Sequence, residues 1–350
     1  MVKPVLIGER AVGPGLPCLV IAEAGVNHNG YLDMALRLVE AAANAGADVV
    51  KFQTFKSEEV VSPVAPKANY QIQNTGAAES QLDMVKKFEL PDEDFLTIQQ
   101  HCQEQGIVFL STPFDKHSVD LLDGMGMVAF KVGSGELTNL PFLTHIARKG
   151  KPMILSTGMA NLEEVGVAVD TVRAAGNRDL VLLHCVSNYP SKASSTNLRA
   201  MKTLEDKFEV PVGYSDHTEG IAVALASVAL GACLVEKHFT LDRNLPGPDH
   251  PASIEPAELA AMVRGIRMVQ SAIGDGIKQP ASEELNTAEV ARRSLVVARD
   301  LRAGSLLTAD DVVIRRPGTG LPPALYAEVI GRRLAQDVSA GSLYTLEMLA

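Results

Sequence analysis

The chain has no tryptophan and only four cysteines in 350 residues. Cys18, Cys102, Cys185 and Cys233 stand far apart with no C-x-x-C pair, which excludes a disulfide framework and a cysteine-based zinc site and predicts packed, reduced thiols. Membrane-length apolar runs are missing as well. The longest, IAVALASVALGACLV at 221–235, is too short to span a bilayer and divides better into a helix and a strand. The opening segment MVKPVLIGERAVG lacks an apolar h-region and predicts no secretory leader. Cations are in deficit: the formal net charge of -10 excludes a nucleic-acid binder that works by neutralising phosphates. No G-x-G-x-x-G follows the first apolar run, which argues against a dinucleotide-binding open sheet. These absences predict a soluble, cytoplasmic protein with neither membrane nor nucleic acid as partner.

What is present is a rhythm. Runs rich in Val, Ile, Leu and Phe recur at 18–25, 48–53, 107–113, 127–136, 152–158, 180–187, 210–217 and 233–240. Apolar runs of this length suit parallel strands buried on both faces. Amphipathic stretches lie between most of them, such as YLDMALRLVEAAANAG at 31–46, which ends on Gly46 as a C-cap. Eight strands alternating with helices predict a closed (β/α)8 TIM barrel, with a doubly wound open sheet as the runner-up. The segment 54–91 breaks the rhythm; it is long and polar, and a lid or substrate loop is expected there.

Every run ends in polar chemistry: Glu23, Lys51, Thr112, Lys131 with Ser134 and Glu136, Ser156, His184, Ser215 with His217, and Glu236 with His238. In a barrel these ends converge on the face where active sites are built. His217 and His238 end the neighbouring seventh and eighth strands. They read as ligands of a divalent cation, with water and substrate oxygens completing the shell, or as two hydrogen-bonded core histidines. Glu236 and Asp249 beside them favour the metal. Lys51, Lys131 and Lys237 lie where unpaired ammonium groups are unfavourable. One such lysine can form a Schiff base, as in class I aldolases. Several, with Ser134, Ser215 and Asn74, can cradle a phosphate or carboxylate, and two inward lysines favour that pocket. Ion pairs to Glu23, Glu136 or Glu236 are the plain structural use. Lys237 and His250 take no role in either reading.

Past residue 280 the texture changes. QPASEELNTAEVA reads as a linker, and 291–350 as short strands with eight arginines, no lysine and six acids. DLRAGSLLT at 300–308 is echoed by DVSAGSLYT at 337–345, which predicts a small pseudo-symmetric β domain. The expected division is a barrel at 1–280, a linker at 281–290 and a β-rich domain at 291–350.

AEAGVNHNG (22–30), KFQTF (51–55), STPFD (111–115), KVGSGE (131–136), STGM (156–159), HCVSNYP (184–190), GYSDHT (213–218), EKHFT (236–240) and GPDHPAS (247–253) occur in an order that resembles the sialic acid synthase family. The tail, with RRPGTGL at 315–321, is similar to that family's antifreeze-like (SAF, β-clip) domain. The resemblance covers nearly the whole chain. It implies condensation of phosphoenolpyruvate with an N-acylated mannosamine-type sugar and water, releasing phosphate by C–O cleavage. By position, His217 and His238 would hold Mn2+ or Mg2+. Lys51, Asn74, Thr112, Lys131, Ser134, Ser156 and Ser215 would hold phosphoenolpyruvate. Glu136 would be the acid/base, with Glu23 also catalytic. Gln53, Ser187, Tyr189 and Asp249 would contact the sugar. Arg316 would reach in from the SAF domain of a partner subunit, implying a domain-swapped homodimer. The first expectation for the product is N-acetylneuraminate from N-acetylmannosamine. Members dedicated to that sugar often carry Asn three residues after the His of the HC motif, where this chain has Ser187. The alternative is a legionaminic or pseudaminic acid synthase using a 2,4-diacetamido-trideoxyhexose, and a Schiff-base aldolase on the same barrel stands behind both.

Overall fold

The eight apolar runs form eight parallel strands in the computed structural model, which describes residues 2–350. A short antiparallel hairpin of β1 (Val5–Ile7) and β2 (Arg10–Val12) precedes them. The barrel strands are β3 (Leu19–Gly25), β4 (Val49–Thr54), β5 (Val108–Pro113), β6 (Phe130–Val132), β7 (Met153–Ser156), β8 (Leu180–Cys185), β9 (Val212–Asp216) and β10 (Leu234–His238). Their hydrogen-bonded order is β5-β4-β3-β10-β9-β8-β7-β6, so the last strand pairs with the first. β5 and β6 lie side by side as the seam of a nearly closed TIM-like barrel. A helix follows every strand: Leu32–Asn44, Asp92–Glu104, Lys116–Gly124, Leu140–Ala147, Leu162–Ala174, Ala200–Phe208, Ala222–Ala229 and Pro256–Ile273. None of the helices among the described residues is long and apolar enough to cross a membrane.

Local chemistry explains these helices. Leu32–Asn44 buries Ala35, Leu38, Val39 and Ala42, the i, i+3, i+4, i+7 stripe of a helix lying on a sheet. Burying each of the two large side chains contributes roughly 1.5–3 kcal/mol. The helix stops where Gly46 takes a φ of +80°, a left-handed turn that glycine makes without strain. Leu162–Ala174 starts on a capping box: the Asn161 side chain accepts the Glu163 and Glu164 N–H groups, and Glu164 returns a bond to the Asn161 N–H. The β1–β2 hairpin, too short to show a sequence pattern, is tied to the N-terminal ends of the strands by an Arg10–Asp48 ion pair. Asp48 also pairs with Arg267 and accepts the Val20 N–H at 2.7 Å.

The chain divides into two compact units, one ending at Gly274 and the other running from Asp275 to Ala350. The second unit begins with the linker-like stretch, which carries a 3-10 turn at Ser282–Glu284 and a short helix at Leu285–Ala291. It then pairs β11 (Ser294–Val297) with β12 (Val312–Arg315) in antiparallel fashion. The sequence repeat is visible as an exchange of bonds. Leu301 and Val338 bond each other's backbones at 2.9 Å in both directions. Asp300 accepts the Ala340 N–H and Asp337 accepts the Ala303 N–H, each at 2.8 Å.

Candidate active site

Side chains alternate across a strand, so each barrel strand sends every second residue inward. At the C-terminal ends those residues are Glu23, Lys51, Gln53, Thr112, Lys131, Ser156, Cys185, Ser215, Glu236 and His238. With Ser134, Ser187, Tyr189, His217 and, from the 54–91 segment, Tyr70, they line a cavity of about 330 Å³. The strand-end polar groups thus do converge.

The floor of the cavity is a buried ionic cluster. Lys51 pairs closely with Glu23 and donates to Thr112 Oγ1 at 2.9 Å. Glu236 lies 3.6 Å from Lys51 Nζ and 3.4 Å from Lys131 Nζ, and accepts from Ser215 Oγ at 2.8 Å. The two carboxyls diverge. Burial pushes Glu23 upward, against the pull of Lys51 and with added repulsion from Glu236. Burial also opposes the Glu236 charge, but Lys131 and Lys51 outweigh it and hold this carboxyl well below the usual range. The lysines diverge too. Burial lowers Lys131, whereas Glu23 and Glu236 overcome burial at Lys51 and raise it. Glu23 Oε2 is taken up by the Lys51 ion pair, whereas Glu236 Oε2 accepts no hydrogen bond and keeps capacity for a ligand.

Beside it stand the two histidines, with ring centroids 5.4 Å apart. His217 bonds the Val186 carbonyl through Nδ1 at 2.8 Å, which makes Nδ1 the N–H donor. Burial lowers its pKa, but Cys185 and that carbonyl outweigh burial and raise it, so Nε2 offers a lone pair only once its proton is lost. His238 Nδ1 is buried without a partner. Burial, then the charge of His217, holds His238 well below its ordinary value, so its imidazole is neutral. With His217 deprotonated, the two imidazoles fit a divalent cation that takes its other ligands from water and substrate. The described residues offer no set of three His, Cys, Asp or Glu side chains for a closed protein site. Tyr189 packs against both rings, tilted on His217 with centroids 4.2 Å apart and edge-on to His238 at 5.7 Å.

The 54–91 segment carries three short helices, Ser57–Val60, Asn69–Thr75 and Gln81–Lys86, and packs its Phe55, Met84 and Phe88 with Val26, just past β3, in a separate apolar cluster. Under it lies a second cavity of about 270 Å³. This chamber shares Gln53, Tyr70, Phe114, Tyr189 and His238 with the polar cavity, so the two abut. Asp249 lines the chamber; burial pushes its carboxyl up to about 6, against the pull of His217.

Two expected site residues stand elsewhere, and a third belongs to the second unit. Glu136 lies in a 3-10 turn after β6, accepts from Asn139 Nδ2 at 2.7 Å and does not line the cavity. Asn74 donates to the Pro248 carbonyl at 2.6 Å, tying the 54–91 segment to the loop after β10. Arg316 is exposed in the second unit, just past β12. Among the strand-end groups, His184 points away from the barrel interior and bonds the Thr196 carbonyl. Its neighbour Cys185 takes the inward place, with Sγ 3.7 Å from both Ser134 Oγ and His217 Nδ1. Gly158 packs so closely here that a Cβ would collide with the Ser187 and Ser134 hydroxyls. Lys237 also faces outward, paired with Asp216 at 2.7 Å and donating to the Thr218 carbonyl. His250 bridges Thr240 Oγ1 and Asn29 Oδ1, at 2.7 and 3.1 Å, and braces the loop that carries Asp249. Cys185 has no place in the expected site, whereas Glu236, expected as a strand-end group and an ion-pair partner of the lysines, is found in that part. The alternation that places them inward is readable only once the strand register is known.

Comparison with known proteins identifies the family to which the chain belongs. The NeuB family matches residues 38–278 and the SAF domain matches 292–350. The N,N'-diacetyllegionaminic acid synthase of Legionella pneumophila is 46% identical over 96% of this chain and 95% of its own length. The enzyme of the same name from Campylobacter jejuni is 48% identical over 90% of this chain and 95% of its own. The crystal structure of N-acetylneuraminic acid synthetase from Leptospira borgpetersenii superposes with a TM-score of 0.73 at 35% identity, covering 83% of this chain and 96% of that one. The chain therefore belongs to the NeuB family and is a phosphoenolpyruvate-dependent, carbon–carbon bond-forming synthase of the sialic acid type, with a SAF domain at its C-terminal end.

Proposed function

We propose that this synthase makes a legionaminic-type acid, joining phosphoenolpyruvate to a 2,4-diacetamido-trideoxyhexose, rather than N-acetylneuraminate from N-acetylmannosamine. The observation that carries this reading is the apolar chamber abutting the polar cavity. A sugar whose far end bears a methyl and an acetamido group in place of hydroxyls suits an apolar wall. The higher identity to the two diacetyllegionaminic acid synthases than to the N-acetylneuraminic acid synthetase supports the same choice.

In this reading the phosphate and carboxylate of phosphoenolpyruvate lie on Lys51, Lys131, Thr112, Ser134, Ser156 and Ser215, and their charge replaces part of what Glu23 and Glu236 supply to the two lysines. His217 and His238 would hold a divalent cation, Mn2+ or Mg2+, whose chemistry is to polarise the sugar's aldehyde oxygen. Glu23, whose carboxyl is pushed up by burial, is placed to hold or deliver a proton at the reacting carbons. Gln53, Ser187, Tyr189 and Asp249 orient the sugar. C3 of phosphoenolpyruvate bonds to the aldehyde carbon, water adds at C2, and the C–O bond to phosphate breaks. Phosphate release measured with each candidate sugar tests the choice. The diacetamido sugar should give the higher kcat/KM, and a preference for N-acetylmannosamine would overturn it.

The reading includes a homodimer in which Arg316 serves the partner's sugar site. Neither an Arg316→Ala chain nor a His217→Ala chain should turn over alone, and co-refolded mixtures should regain activity through one intact site. Verified mixed dimers without activity would exclude the exchange.

A further inference from the structure

Two amide side chains beneath the 54–91 helices have no part in the chemistry above. Gln71, on Asn69–Thr75, and Gln81, the first residue of Gln81–Lys86, both line the apolar chamber. Gln81 Nε2 donates to Gln71 Oε1 at 3.4 Å, and the same Oε1 accepts the Ala68 N–H at 2.9 Å. Those bonds occupy the acceptor of Gln71 and one donor of Gln81. Left over are Gln81 Oε1, with no protein donor among the described residues, and one N–H of Gln71 Nε2, the other being turned to the Tyr70 hydroxyl. An acceptor and a donor in one bonded pair complement a secondary amide, which has one N–H and one C=O. Val26, Phe55, Met84, Val85, Phe88 and Phe114 surround them with a surface suited to a methyl group. A chamber that only excluded water would need no amides in its wall.

We propose that the Gln71–Gln81 pair recognises the second N-acetyl group of the acceptor sugar, the amide bonded by the two glutamines and its methyl lying against the chamber's apolar side chains. This rests on the diacetamido reading above and adds the residues that select it. The shared walls at Gln53, Tyr189 and His238 let one sugar span both cavities, its aldehyde end in the polar one. A sugar with a hydroxyl at the far position leaves the amide pair poorly matched in a half-buried wall that the bound sugar itself closes off, and that mismatch is the basis of selection.

The test is steady-state phosphate release by the full-length protein with saturating phosphoenolpyruvate and Mn2+, using the 2,4-diacetamido-trideoxyhexose and N-acetylmannosamine in parallel. Gln81→Leu and Gln71→Leu should each lower the ratio of kcat/KM values, diacetamido over monoacetamido, by roughly 10- to 100-fold. The KM for phosphoenolpyruvate should shift less than about twofold. Gln81→Glu keeps the acceptor but adds charge, and serves where a leucine variant melts early. If wild type prefers the diacetamido sugar and every folded variant keeps the wild-type ratio, the glutamine assignment is overturned alone. Equal losses on both sugars would mark the pair as a structural brace and overturn it likewise. A wild-type preference for N-acetylmannosamine overturns the acceptor reading and this assignment together.

Discussion

Replacing Glu236 with alanine is expected to destabilise the barrel unit by about 3–5 kcal/mol at neutral pH, as removal of one partner from a buried ionic network does. Its carboxylate is the anion paired with Lys131, whose ammonium otherwise reaches only the Val132 carbonyl at 3.5 Å, while Lys51 keeps Glu23. The deletion leaves an ammonium group desolvated without a counter-charge. Its signature is in the pH dependence. Burial already holds Lys131 below its ordinary value, and loss of Glu236 removes the charge that opposed this. A base depressed in the folded state contributes stability above its unfolded pKa and loses it as pH falls toward the folded value. The variant should therefore be closer to wild type at pH 9 than at pH 6. Phosphoenolpyruvate should restore part of the loss by supplying the missing negative charge. Urea titrations at the two pH values, with and without phosphoenolpyruvate, decide the matter; a variant within 1 kcal/mol of wild type at pH 6 would sink the account.

The second large effect concerns the histidine pair. Exhaustive chelation should lower turnover by about 10³-fold, the scale of several kcal/mol of transition-state stabilisation, and Mn2+ should restore it. His238→Ala should show the same loss without rescue by added Mn2+. Binding of phosphoenolpyruvate, held by lysines and serines on other strands, should survive in both cases. Calorimetry separates the two functions: full turnover after chelation refutes the metal role. Loss of phosphoenolpyruvate binding in His238→Ala would instead place the histidine among that substrate's ligands.

The strands and the helices that follow them were legible in the sequence because burial on both faces writes continuous apolar runs. The inward-facing set was only half legible, for a reason of periodicity. Lys51, Lys131 and Lys237 look alike in sequence, each one residue within or beyond an apolar run. Alternation turns the first two into the barrel and sends Lys237 to Asp216 outside it. The same parity exchanges His184 for Cys185. Glu136 departs for another reason: β6 ends at Val132, and the chain then enters a 3-10 turn in which Ser134 stays at the cavity while Glu136 swings to Asn139. The 54–91 segment, read as a polar loop, packs its scattered Met84, Phe88 and Phe55 into one cluster. Spacing so irregular carries no helical signature across the whole stretch.

The crossed aspartates of the second unit bind its two halves to a common fate. Asp300 holds the turn that belongs to the later copy, and Asp337 holds the turn of the earlier one. Neither copy completes its own turn, so neither can drift in length while its twin stays fixed. A residue inserted into one turn would misplace the N–H that the opposite aspartate needs, so tolerated changes should come as matched pairs.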